Sequence, residues 1–289
     1  MPTALALSPH LDDAAFSCGG TLARLARAGW RVVVATVFTA SVPDPRGFAL
    51  ACQLDKGLGP EIDYMALRRA EDAAAMRALG ATPVWLPFRE APHRGYDSAP
   101  ALFAGVRRED SIVDDLAPAL AALLAEQSPD LVLAPQAIGN HADHVPLVRA
   151  LERAGPTAPV LWWRDFPYAV RDASPREAFR DRFMSLPECH VALSSDEAEA
   201  KRLASRAYAS QLGFQFGGPE GLDRRLAASV GMESFRTSGK VPGSTMSAVS
   251  CSYVARRRDP AHGMEGRKVE RKDPQASIAR RHQADWGGR

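Results

Sequence analysis

Cysteine is scarce: four residues in 289, Cys18, Cys52, Cys189 and Cys251, with no CxxC pair among them. A zinc–thiolate cluster or a disulfide framework is therefore not expected, and a reducing cytoplasm is the natural compartment. No run of about 20 apolar residues occurs, so the sequence offers no membrane span. Nor does the N-terminus carry Lys or Arg ahead of a long apolar stretch, so no signal peptide is expected. An excess of charge is missing as well. Lys and Arg number 36 against 34 Asp and Glu, a net +2, which points to neither nucleic acid nor a membrane surface as partner. The oligomeric state is left open. The one uneven stretch is 256–289, where ten Lys and Arg face five Asp and Glu without apolar periodicity. A basic flexible tail following a domain over residues 1–255 is the expectation.

What is present begins with apolar residues, 46% of the chain, enough for a substantial core. Ala4–Leu7 and Arg31–Phe38 are continuous apolar or β-branched runs, the pattern of strands covered on both faces. Pro83–Leu86, Leu131–Ala134 and Val160–Trp163 predict further strands. Between them, helices are predicted over Gly20–Gly29, Met65–Leu79 and Ile112–Glu126, and from His144 to about Arg153. Two polar stretches with Pro and Gly, Ala40–Asp63 and Arg89–Arg108, read as long loops. Beyond Val191 only a helix near Asp196–Tyr208 and a strand near Val249–Val254 are suggested. Alternating strands and helices predict an α/β, Rossmann-like domain with a mostly parallel sheet flanked by helices. In such sheets, sites form at the carboxyl ends of the strands.

Two motifs fall at such ends. Ser8-Pro9-His10-Leu11-Asp12-Asp13 follows the first strand, and His141-Ala142-Asp143-His144 follows the fourth. His10, Asp13 and His144 together offer two nitrogens and one carboxylate oxygen, a catalytic zinc set with its fourth position open. Asp12, beside a ligand but free itself, is placed to take a proton from water. His141, if protonated, is placed to stabilise an oxyanion, and Asp143 to orient a ring nitrogen. Cys18 reads as a small buried residue, Gly19-Gly20 as a close-packed helix entry, and Trp162 and Trp163 as core or sugar-stacking rings.

These residues resemble the PIG-L/LmbE family of zinc-dependent N-acetyl-sugar deacetylases. The likeness covers roughly residues 3–215. It includes Arg68-x-x-Glu71 with Ala75 and Leu79-Gly80, Trp163-Arg164-Asp165-Phe166-Pro167-Tyr168, and Tyr208-x-Ser210-Gln211. PHLDDA, Ala137-Ile138-Gly139 and LWWRDFPYAV look most like deacetylases of glycopeptide-antibiotic and related natural-product pathways. By position, the resemblance implies one Zn2+ per chain on His10, Asp13 and His144, with Fe2+ an alternative, Asp12 as general base and His141 in electrostatic catalysis. It also implies an LmbE-like fold, a substrate contact from Arg68, and an N-acetylated amino sugar on a small glycoside or glycoconjugate as substrate. Ala14 and Ala142 depart from the family's usual Glu and Pro, and neither position supplies a ligand. Two other functions fit the same motifs: an amidase or deacylase for a larger acyl group or thiol conjugate, and a non-catalytic sugar-binding module.

Overall fold

The apolar runs pair with one another because each is too hydrophobic to leave either face in water. In the computed structural model, which describes residues 1–253 other than Asp172 and Val230, β1 (Thr3–Ser8) is buried along its whole length. It leads into α1 (Asp13–Arg27), β2 (Arg31–Thr36), α2 (Gly47–Leu54), α3 (Tyr64–Leu79) and β3 (Thr82–Trp85). A 3-10 turn at Ala91–Arg94 and the short α4 (Ala99–Phe103) precede α5 (Ile112–Gln127), β4 (Leu131–Pro135), α6 (His144–Ala154) and β5 (Val160–Trp163). Then come α7 (Tyr168–Arg171), α8 (Arg180–Ser185), β6 (Glu188–Ala192), α9 (Ser195–Arg206), α10 (Ala209–Phe216), α11 (Pro219–Ala228), β7 (Met232–Ser238), α12 (Gly243–Val249) and β8 (Cys251–Tyr253). The predicted basic tail lies outside the described residues.

The sheet runs β3-β2-β1-β4-β5-β7-β6-β8. From β3 to β5 every pairing is parallel, while β7, β6 and β8 join antiparallel. The strand period of two divides the core. Ala4, Ala6, Val32, Val34, Leu131 and Leu133 face a cluster that includes residues of α1, α3 and α9. Leu5, Leu7, Val33, Ala35, Val132 and Ala134 face a second cluster with α5 and α6. Strand order reverses between β1 and β4, the topological switch point where open α/β sheets bind their ligands.

Several expectations are corrected. The first helix starts at Asp13, not Gly20, and is broken at Cys18 (φ −135°, ψ 19°). Glu233 fills the break: its carboxylate accepts from Gly20 N (3.0 Å), Thr21 N (2.8 Å) and Lys201 Nζ (2.8 Å), all buried. Gly20 packs closely against Leu193: a Cβ there would lie 2.4 Å from Leu193 Cδ1, so that side chain would have to shift. The stretches read as loops contain α2, the 3-10 turn and α4, each too short to show a period. Strands β6 and β7 alternate buried with more exposed residues and so carry no continuous apolar run. Cys189 and Cys251 form a disulfide with Cα atoms 5.7 Å apart. Their sequence separation of 62 hid what the pairing of β6 with β8 brings together. Among the described residues no helix is long and apolar enough to cross a membrane.

Candidate metal centre

The site grows out of the carboxyl ends of β1 and β4. After β1 the chain turns sharply: Ser8 Oγ donates to His10 O (2.7 Å) and accepts from Ala14 N (3.1 Å), fixing the entry to α1. Asp13, the first residue of α1, accepts from His10 N at 2.9 Å through Oδ2. The same oxygen lies 3.2 Å from His10 Nδ1 and 3.3 Å from His144 Nε2. His144 opens α6, so two helix starts converge on one point.

Each histidine is held from behind by a carboxylate. His10 Nε2 meets Asp143 Oδ2 at 2.9 Å, and His144 Nδ1 meets Asp165 Oδ1 at 2.8 Å. That arrangement fixes the ring orientation and presents the other nitrogen forward, as metal-ligating histidines do. The donor atoms of His10, Asp13 and His144 lie within 4.8 Å of one another. His144 Nε2 is buried without a hydrogen-bond partner, a costly state that a cation at this point would relieve. Two nitrogens and one carboxylate oxygen, with no thiolate, therefore fit a catalytic divalent ion. His10, His141 and Asp143 form a second group of the same span. There Asp143 Oδ2 already accepts from Ala91 N, and His141 Nδ1 from Asp143 N, both at 3.1 Å.

Asp12 is 4% exposed, and its Oδ2 receives Arg68 Nη2 and Gln215 Nε2, each at 3.1 Å. Burial pushes its carboxyl up to about 7; the Arg68 charge pulls it down and the neighbouring Asp13 pushes it up. Arg68, 3% exposed, also donates to Leu11 O (2.7 Å) and to Glu90 Oε1 (3.2 Å). The expected substrate-contacting residue thus has three protein partners, one of them Asp12. His141 is held down to about 3 by burial, with the His10 charge adding to the effect. It is neutral at pH 7, and with Nδ1 accepting a backbone N–H its Nε2 is the donor, unlike the protonated form considered from sequence. The ring packs edge-on to His10 and Phe103, at 5.0 and 5.2 Å between centroids.

Further residues complete the site. Asp165 also accepts from Ile138 N (3.0 Å), and Tyr168 sets its ring 5.5 Å from that of His144. Gly139 (φ +97°) lets Tyr168 approach, since a Cβ there would come within 3.0 Å of the ring. Asp165 and Tyr168 lie in a segment that the sequence singles out without assigning them roles, and Gln215 carries no motif. Trp162 and Trp163, 2% and 0% exposed, are core residues and not sugar-stacking platforms. Cys18 is buried, and burial pushes its thiol up.

The family model of PIG-L, GlcNAc-PI de-N-acetylase, matches residues 5–154, which hold both motifs. A 2'-N-acetylparomamine deacetylase of Streptomyces fradiae is 37% identical over 178 residues, 58% of this chain and 59% of that protein. The chain thus matches about three fifths of the length of this curated relative. Among solved structures, the zinc-inhibited form of teicoplanin deacetylase is 27% identical with a TM-score of 0.67, covering 82% of this chain and 98% of that one. An A40926 pseudoaglycone deacetylase is 28% identical with a TM-score of 0.68, covering 81% and 96%. With its two His/Asp motifs meeting at the switch point and the family model spanning both, this chain belongs to the PIG-L family.

Proposed function

We propose that the chain is a metal-dependent hydrolase that removes the acetyl group from an N-acetylated amino sugar of a small glycoside or glycoconjugate. The observation that carries this reading is the pairing of an open three-donor set with a carboxylate pinned through one oxygen. His10 Nδ1, Asp13 Oδ2 and His144 Nε2 would hold one divalent ion, Zn2+ or in its place Fe2+. When bound, such an ion supplies Lewis-acid polarisation of an acyl oxygen and acidifies water.

The residues of the chain do the rest. Arg68 and Gln215 occupy Asp12 Oδ2, and among the described residues Oδ1 has no hydrogen bond, so Oδ1 is the oxygen that takes the proton of attacking water. A carboxyl held to about 7 is poised for this transfer at neutral pH. Neutral His141 donates through Nε2 to the oxygen that gains charge as the amide carbonyl is attacked. Asp12, now protonated, returns the proton to the nitrogen as the C–N bond breaks, leaving the free amine and acetic acid, which then ionises to acetate. Phe103 and Tyr168 crowd the histidine side of the centre, which suits a small acyl group. The names of the deacetylases to which the chain is similar support an amino-sugar substrate.

A screen of N-acetylglucosamine-bearing glycosides, read by the mass loss of one acetyl group, tests the reading. Metal-dependent acetate release from at least one of them is expected. Release that persists undiminished in Asp12→Ala or His144→Ala would overturn the assignment.

A further inference from the structure

Behind His10 stands Asp143, and behind Asp143 stands Arg94. This arginine closes the 3-10 turn at Ala91–Arg94, inside the segment that the sequence presents as a loop. Its Nη1 donates to Asp143 Oδ1 at 2.6 Å and to Arg89 O at 2.8 Å, and its Nη2 to Asp110 Oδ2 at 3.0 Å. Asp110 is fixed in turn by Tyr96 OH (2.9 Å) and Ile112 N (3.2 Å). The guanidinium lies 5.0 Å from the centroid of Phe38, whose ring is 6.1 Å from that of His10. Only 11% of the Arg94 side chain is exposed, and none of that of Asp143.

Two consequences follow from this geometry. A carboxylate gripped on both oxygens cannot rotate, so the imidazole it holds keeps its aim. A carboxylate gripped in this way also cannot turn toward a metal. His10, His141 and Asp143 bring their donor atoms as close together as the His10, Asp13 and His144 set does. What separates the two groups is that Arg94 occupies one Asp143 oxygen, while His10 and Ala91 N occupy the other. Among the described residues no arginine backs Asp165, which has only Ile138 N behind it. The His10 half of the centre is therefore braced by the 89–110 segment and the His144 half is not.

We propose that Arg94 is a positioning residue of the metal centre: it fixes Asp143 as the partner of His10 instead of a ligand, and so ties metal affinity to the ordering of residues 89–110. The inference rests on the metal reading above and is independent of the substrate. Lysine supplies the charge at one point but not the fork that spans Asp143 and Asp110.

The test is Zn2+ affinity and stoichiometry, measured by competition between the full chain and a chelating indicator, with the thermal midpoint of each metal-free protein recorded in parallel. Arg94→Met is expected to bind Zn2+ up to about 10-fold more weakly than the wild type, the lower end of the loss that follows removal of a ligand's own partner, because Arg94 acts on His10 only through Asp143. Arg94→Lys should fall between the two. Asp110→Asn, which leaves the arginine in place and removes its rear anchor, should show a smaller loss. A purely structural role would lower the thermal midpoint and leave affinity unchanged. The proposal is overturned if folded Arg94→Met binds Zn2+ as the wild type does. Should that variant not fold, wild-type affinity in both Arg94→Lys and Asp110→Asn overturns it. A wild type that binds no Zn2+ would instead sink the metal reading, and this inference with it.

Discussion

Asp12 and Asp13 are neighbours in sequence and opposites in surroundings. Asp13 faces two imidazoles, which hold its carboxyl well below the usual range against the effect of burial. Asp12 faces one arginine and one amide, and burial prevails, at about 7. Replacing Asp12 with Asn should therefore lower kcat about 10²- to 10⁴-fold and leave Zn2+ binding intact, measured as acetate release beside metal titration. The base form of Asp12 is the deprotonated one, so kcat/KM should rise as pH increases through about 7 and then level. Because the Arg68 charge pulls that carboxyl down, Arg68→Met should move the acidic limb to higher pH, with a smaller displacement in Arg68→Lys. A limb that stays in place would remove Asp12 from the base role. At this scale the two motifs were readable, because adjacent residues with complementary chemistry leave a local signature. Arg94 and Gln215 act across long stretches of chain as single residues of ordinary type, and nothing local marks them; Asp165 lies in a marked segment, but only the fold shows that it faces His144.

The first helix shows why the motif is shaped as it is. A continuous α1 would carry its N–H ladder through Cys18; instead the ladder breaks, and Glu233 and Lys201 fill the gap. Lys201 also reaches toward Ser17 O, at 3.4 Å, the last regular turn before the break. The short segment that carries Asp13 can then be set at its own angle. This polar pair is 7% and 2% exposed, so Lys201→Met leaves a buried carboxylate without its cation. Such a loss costs about 3–5 kcal/mol, and the urea midpoint should fall accordingly at unchanged slope. An unchanged midpoint would show that the break is held by other means. The sequence announces Gly19-Gly20 as close packing but not the break, because the glutamate that makes it possible lies on β7.

For the molecule as a whole, the parallel half of the sheet was legible because buried strands spell themselves out as apolar runs. The antiparallel half was not: β7 alternates buried and partly exposed residues, and β8 is three residues long. The fold places His10 and Asp143 in contact although 133 residues separate them in the chain. An ion held between β1 and β4 should stabilise the native state by about 2.7 kcal/mol at a hundredfold excess over its Kd. A rise in Tm that a chelator reverses, and that His144→Ala abolishes, checks this. Held by His10 and Asp13 on one side and His144 on the other, the ion would also be a removable staple around a very long loop. Strands β1 and β4 cannot part while it is in place, and the loop it closes is one whose reopening releases much chain entropy. Amide hydrogen exchange should accordingly slow most at these two strands when Zn2+ is added, while the edge strands β3 and β8 exchange as before.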